Sequence, residues 1–276
     1  MPTLCANATE LYSETVGCGP PLLLIHGLGS SGDDWAFQRD DLARAHTLIL
    51  PDLRGSGRSA KPRGPYSIAQ FATDLWSLLD VLGIETSDVL GFSLGGAIAL
   101  EMALMRPQRV RRLVLCNALA NYRTDTRRKR FEAFAQVALV RTLGLRRTGG
   151  LIARRLFPRP DQAPQRRRVV DVLGANPKRA YLATINALIG WSAMERLAAL
   201  RAPALIIAAE HDYTPLADKY AELRHFPQAQ LVVVAGSRHG TPFDAIERFN
   251  ALVLEFLARG KVETPAPPHH ASAAPE

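Results

Sequence analysis

Short, nearly unbroken apolar runs recur along this chain, separated by stretches in which apolar residues return every three or four positions. Leu22-Leu23-Leu24-Ile25, Leu48-Ile49-Leu50, Val89-Leu90, Ala204 to Ala209 and Gln230 to Val234 are of the first kind, and Val110 to Cys116 reads as a further strand. Runs of this length without polar alternation are the pattern of strands covered on both faces. Glu10 to Val16 adds an edge strand. Helices are predicted over Trp35 to Ala43, capped by Asp33 or Asp34, and over Ala97 to Met105. Another follows Ser67, whose spacing to Gln70 is that of a capping box; its stripe Phe71, Leu75, Leu78, Leu79 and Leu82 stops at Gly83. A closing helix is predicted from Asp244 to Leu257. Strands alternating with helices at this interval predict an α/β fold, a mostly parallel, doubly wound sheet with right-handed crossovers.

The alternation lapses between residues 119 and 200. That stretch is helical in tendency, rich in arginine, and punctuated by Gly144, Gly149-Gly150, Pro158, Pro160, Pro164 and Pro177. It reads as a helical lid inserted into a core made of residues 1–118 and 201–260. Residues 261–276, dominated by proline and alanine, have little to bury and are expected to be disordered.

Charge sharpens this division. The 276 residues carry a net +8. Between Tyr122 and Arg179, however, sixteen Lys/Arg face four acidic residues, a balance of +12, which leaves −4 on the remainder. Two regions therefore face different surroundings. The lid arginines read either as a solvated surface or as an attractor for an anion: a carboxylated lactone, a CoA- or carrier-linked acyl group, or an acidic lipid surface. Nucleic acid is not expected, because stacking aromatics are not interleaved with the basic residues. No apolar run approaches the roughly 20 residues of a membrane span. Cys5, Cys18 and Cys116 lack metal or redox spacing, and the N-terminus lacks a basic region followed by an apolar core. Together these predict reduced thiols, no bound metal and a cytoplasmic protein.

The chemistry is concentrated where apolar runs end. Val89 to Gly96 reads as a strand, an abrupt turn with Ser93 at its apex, and a helix, with Gly91 and Gly95 spaced as G-x-S-x-G. So tight a reversal crowds the positions two before and two after the apex, and glycine relieves that crowding. The helix that follows aims its N–H groups and positive dipole end beside the exposed hydroxyl. Its sole charge, Glu101, in an otherwise apolar stretch predicts a buried helix.

Two later loops supply partners. Glu210-His211-Asp212-Tyr213-Thr214-Pro215 follows one apolar run, and Ala235-Gly236-Ser237-Arg238-His239-Gly240-Thr241-Pro242 follows the last. His239 is the candidate general base for Ser93. Asp212 is the candidate orienting acid, with Glu210 close enough in sequence to compete, and His211 reads as a loop residue. Backbone N–H groups of Leu94, directly after the serine, and of Leu28, between Gly27 and Gly29, are the candidate oxyanion donors. Trp191, Met194, Phe131 and Phe134 are candidates to line a substrate pocket beneath the lid, or equally to form the lid's own core.

His26-Gly27-Leu28-Gly29, the glycine-rich turn Asp52 to Ser59, the elbow Gly91 to Gly95 and the Asp212 and His239 loops together resemble the α/β-hydrolase superfamily, over Glu10 to Ala258. Within it the chain is most similar to small bacterial carboxylesterases and enol-lactonases of β-ketoadipate type, with pimeloyl-carrier methyl esterases nearby. The resemblance implies hydrolysis of a small ester or lactone without a cofactor, through an acyl-enzyme on Ser93. A carbon–carbon bond hydrolase or a perhydrolase would use the same residues, and a ligand-binding protein could retain them. The serine apex sets the chain apart from haloalkane dehalogenases and epoxide hydrolases, which use aspartate.

Overall fold

The computed structural model describes residues 3–263. Their eight strands are β1 (Thr3–Ala6), β2 (Thr9–Val16), β3 (Pro21–Ile25), β4 (Thr47–Pro51), β5 (Ser87–Phe92), β6 (Val110–Cys116), β7 (Ala204–Ala209) and β8 (Ala229–Val234). They form one sheet in the order β1-β2-β4-β3-β5-β6-β7-β8. The β1/β2 and β2/β4 pairings are antiparallel, and every pairing from β4 to β8 is parallel.

The apolar runs do what two-sided burial requires. Leu22 and Leu24 face one side of β3, with Trp35, Leu90, Phe92, Phe249 and Phe256. Leu23 and Ile25 face the other, with Phe71, Trp76, Val89 and Ile98. Period-two alternation thus divides one strand between two cores, and each fully buried Leu or Ile contributes about 1.5–3 kcal/mol. Helices α1 (Ala36–Ala43) and α9 (Ile246–Arg259) cover the first side. Helices α2 (Ile68–Val81) and α3 (Leu94–Met105) cover the second.

Between β6 and β7 lie α4 (Arg127–Leu156), α5 (Ala163–Ala175) and α6 (Lys178–Leu188). The two ends of this insertion meet: Asn121 bridges Ser192, and the Tyr122 N–H donates to Trp191 O at 2.8 Å. Helix α7 (Leu216–Leu223) follows β7, and the short α8 (Thr241–Asp244) precedes α9.

Several local expectations are corrected. Strand β1 carried no periodic signal; its hairpin turns through Asn7 and Ala8, both at positive φ without a glycine. Neither Asp33 nor Asp34 caps a helix. A 3-10 turn begins at Gly32 with Ser31 as N-cap, while Asp33 pairs with Arg58 and Asp34 accepts from Ser30. Half of the capping box forms, the Gln70 N–H donating to Ser67 Oγ at 3.1 Å. Gly149-Gly150 does not interrupt α4, because Gly149 packs closely against Val170 and Leu173; the kink falls at Gly144, at φ +72°. The closing helix is broken at Ala245, after Pro242 has nucleated a turn of its own. Val262, assigned to the disordered tail, is 3% exposed and donates its N–H to Gln230 Oε1 at 2.7 Å. Residues 264–276 of that tail lie outside the described residues. Among the described residues no helix is long and apolar enough to cross a membrane.

Candidate active site

The bend after β5 has the shape that its glycines predict. Ser93 sits at φ +55°, ψ −116°, a conformation that costs a non-glycine residue about 1–3 kcal/mol. A Cβ on Gly91 would collide with the carbonyl of Gly95. One on Gly95 would collide with Ile25 O and approach His26 O at 2.7 Å. The elbow is therefore seated directly on the end of β3. Neighbouring β6 holds it, the Ser93 N–H donating to Cys116 O at 2.8 Å. Helix α3 is buried from Leu94 to Ala103, and its Glu101 is satisfied by Arg196 at 2.9 and 2.7 Å and by Trp191 Nε1 at 3.0 Å.

Ser93, His239 and Asp212 come together from the ends of β5, β8 and β7. His239 Nε2 lies 2.9 Å from Ser93 Oγ, and its Nδ1 lies 2.7 Å from Asp212 Oδ1. Asp212, not Glu210, takes the imidazole. Glu210 Oε2 instead accepts from the Gly236 N–H at 2.7 Å and ties the two loops together. His211 remains a loop residue with a half-exposed side chain.

The loops are held by residues that the sequence pattern did not single out. Asn117, fully buried just past β6, donates Nδ2 to His239 O and to Thr241 Oγ1, both at 2.7 Å. Its Oδ1 accepts from the Ala209 N–H at 2.8 Å. One side chain thus fixes both loops to the sheet. Asp244 pins the β8 loop from below, accepting from Ser237 Oγ at 2.6 Å and from the Arg238 N–H at 2.9 Å. Lys219 of α7 has no exposed side-chain surface, and its Nζ reaches Asp212 Oδ2 at 2.7 Å. Burial would raise the Asp212 carboxyl. The His239 hydrogen bond and the Lys219 charge and hydrogen bond outweigh burial and hold it well below the usual carboxylate range. Lone polar signals of this kind, an asparagine after a strand or a lysine on a short helix, have no period or spacing to reveal them.

Two more polar groups complete the site. His26 is wholly buried; its Nδ1–H donates to Gly27 O at 2.8 Å and its Nε2 accepts the Leu53 N–H at 3.0 Å. Burial lowers its pKa and keeps this strut neutral, so it orients the turn that carries Leu28. Among the described residues neither the Leu28 nor the Leu94 N–H donates a hydrogen bond within the protein. Tyr213 Oη lies 2.8 Å from His239 Nε2, the nitrogen that also faces Ser93, with the two rings 4.0 Å apart. Burial of that hydroxyl, with the Asp212 charge beside it, pushes its pKa up, so it stays protonated.

Parts of the insertion reach this site. Tyr181 and Leu173 close over Gly29, Asn176 Nδ2 donates to Gly29 O at 2.8 Å, and the Arg155 guanidinium lies 5.3 Å from the Tyr213 ring. Phe157 is buried against Gly240 and Phe243. The four aromatic and methionine candidates fall elsewhere. Trp191 and Met194 are part-buried against the core beside α3, where Trp191 serves Glu101. Phe131 and Phe134 are each 70% exposed on α4, so they do not form an enclosed pocket wall. Both were placed by residue type; only the burial of their helix tells which face is inward.

Comparison with known proteins identifies the family and the fold. A family model described as alpha/beta hydrolase fold matches residues 20–245. A protein from Azorhizobium caulinodans named "Putative carbamate hydrolase RutD" is 31% identical over 266 residues, covering 93% of this chain and 98% of its own length. An enol-lactonase from Burkholderia xenovorans superposes with a TM-score of 0.86 at 24% identity, over 93% of this chain and all of its own. An esterase from Thermogutta terrifontis gives 0.79 at 28% identity, over 91% and 93%.

Proposed function

Since the chain belongs to the α/β-hydrolase family, we propose that it is a cofactor-independent serine hydrolase cleaving a small carboxylic ester or lactone. The observation that carries this reading is the unbroken relay Ser93 Oγ, His239, Asp212, with links of 2.9 and 2.7 Å.

In this reading Ser93 Oγ attacks the carbonyl carbon of the substrate as His239 Nε2 takes its proton. Asp212 accepts from Nδ1–H, fixing the tautomer that leaves Nε2 able to receive that proton, and it stabilises the imidazolium formed. The carbonyl oxygen, now negative, is met by the Leu28 and Leu94 N–H groups, which have no partner within the protein among the described residues. The imidazolium returns the proton to the leaving oxygen, and the alcohol departs from an acyl-enzyme. A water, activated by the same imidazole, then releases the acid. The helical insertion acts as a lid, with Tyr181, Leu173 and Phe157 setting the size of what enters.

A carbamate is the second reading, favoured by the 31% identical relative named for that activity. Its carbonyl would be attacked by the same serine, with the alcohol leaving and water then releasing carbamic acid from the carbamoyl-enzyme, or with the amine leaving directly. A fluorophosphonate probe tests the shared step: it should label the parent and fail to label Ser93→Ala, whose turnover falls on the order of 10⁴–10⁶-fold. Labelling that survives in Ser93→Ala, or no labelling of the parent, refutes the nucleophile. Rates on aryl esters, lactones and aryl carbamates of matched size then separate the two readings, and ring-fission diketones test the carbon–carbon alternative.

A further inference from the structure

Helix α4 contains a segment for which the fold has no use. From Arg127 to Leu139 not one residue is buried; the first buried residue of the helix is Val140. A residue nine positions away lies half a turn round the helix, so Phe131 points directly away from Val140. Along that outward crest run Arg127, Phe131, Phe134 and Ala138, the two phenylalanines each 70% exposed. Arg128 lies on one shoulder, Arg130 and Arg141 on the other. Arg128 pairs with Glu132 at 3.6 Å and Lys129 with Asp125 at 3.2 Å. Among the described residues Arg127, Arg130 and Arg141 have no carboxylate partner within 4.0 Å. Phenylalanine on the crest with arginine on both shoulders is the arrangement of a helix lying in a membrane interface.

We infer that residues 127–143 form a docking surface for an anionic phospholipid bilayer, with Phe131 and Phe134 entering the acyl boundary and the arginines engaging lipid phosphates. The charge selects this occupant. A second copy of the chain would bring one arginine-rich face against another, which is repulsive. A single-stranded nucleic acid needs a groove that follows its backbone, whereas this surface is a convex crest. Gly144, at φ +72°, kinks the helix between this exposed segment and the later portion, where Gly149 packs against α5, while Val140 anchors the segment against Leu173 and Tyr181. The inference does not depend on the chemistry proposed for Ser93.

Flotation with vesicles tests it on the full chain. The protein should float with phosphatidylcholine–phosphatidylglycerol vesicles, stay behind with pure phosphatidylcholine vesicles, and be released by salt. Phe131→Ser/Phe134→Ser should weaken partitioning by about tenfold or more through lost apolar insertion. Arg127→Gln/Arg130→Gln/Arg141→Gln should weaken it roughly a hundredfold, from the attraction each basic residue feels at an anionic leaflet. Both variants should keep the parent melting temperature, because none of these side chains is buried. Equal binding to neutral and anionic vesicles, undiminished binding of the phenylalanine variant, or displacement by poly(U) as effective as that by anionic vesicles would each overturn the proposal.

Discussion

Lys219→Met removes a charge from beneath the proposed triad while leaving every member in place. The two side chains have no exposed surface, and Lys219 Nζ lies 2.7 Å from Asp212 Oδ2. Methionine retains most of the aliphatic stem, so the main change is that a buried carboxylate loses its cation. Breaking such a pair from one side costs about 3–5 kcal/mol, because the remaining charge has no water to turn to. For a chain of this size that corresponds to a fall in melting temperature of roughly 5–15 °C. His239 Nδ1 and the Thr214 hydroxyl still hold the carboxylate, so turnover of an aryl ester at neutral pH should fall less than about tenfold. Asp212→Asn, by contrast, should cost about 10⁴ in kcat through loss of the correct tautomer. The decisive arm is the double variant Asp212→Asn/Lys219→Met, which removes both charges and should melt above either single variant. The acid limb has a sign as well. A carboxyl held low in the folded state stabilises the fold above its ordinary pKa, and that stability is lost as pH falls through the folded value. Without Lys219 the folded value rises, so acid unfolding should begin at higher pH. Calorimetry would refute this reasoning if Lys219→Met melted within about 2 °C of the parent, or if the double variant were no more stable than Lys219→Met alone.

Glu222 offers the opposite sign. Its carboxylate is buried on α7, accepts from the Ala120 N–H at 2.8 Å, and burial pushes its pKa up to about 7. A carboxyl raised in the fold contributes stability that is full below its ordinary pKa and lost as pH rises through the folded value. The parent should therefore lose on the order of 3 kcal/mol between about pH 4.5 and 7.5 that Glu222→Gln does not; parallel slopes in thermal melts would contradict this. Tyr213→Phe removes the hydroxyl that shares His239 Nε2 with Ser93. A competing hydrogen bond of about 1 kcal/mol predicts that fluorophosphonate labelling accelerates roughly fivefold, and a slower reaction would indicate that the hydroxyl assists rather than competes.

The parts of this site that could be read from the sequence are those whose cause is local. Gly91 and Gly95 are required by the bend itself, so the motif and the strain at Ser93 are one fact. Asp212 and His239 were legible because each lies just past a buried apolar run, and parallel sheets present such loops on one edge. Asn117 and Lys219 were not, and His26 and Tyr213 were visible only as members of a motif and a loop, without their roles. Their roles come from neighbours far away in sequence, such as the contact from Asn117 to His239 O, and no periodicity records such a contact. The glycines of α4 show the same limit. Gly144 and Gly149 look alike in the chain, yet one supplies a left-handed bend in open space and the other admits a neighbouring helix. Phe131 and Phe134 failed for a related reason, since residue type alone cannot say which face of a helix is turned outward.

The bridge between Asn121 and Ser192 has a consequence for how such a molecule changes over time. Because the chain leaves and rejoins the sheet at one closed neck, everything beyond that neck is, for the strands, a single short connection. Loop-closure cost grows only slowly with length, so whole helices there can be lengthened, lost or exchanged with small effect on the sheet-side partners of Ser93. In the proposed reading selectivity and chemistry are thereby separately heritable: about a quarter of the gene product, residues 122–191, can be traded while Ser93, His239 and Asp212 keep their places.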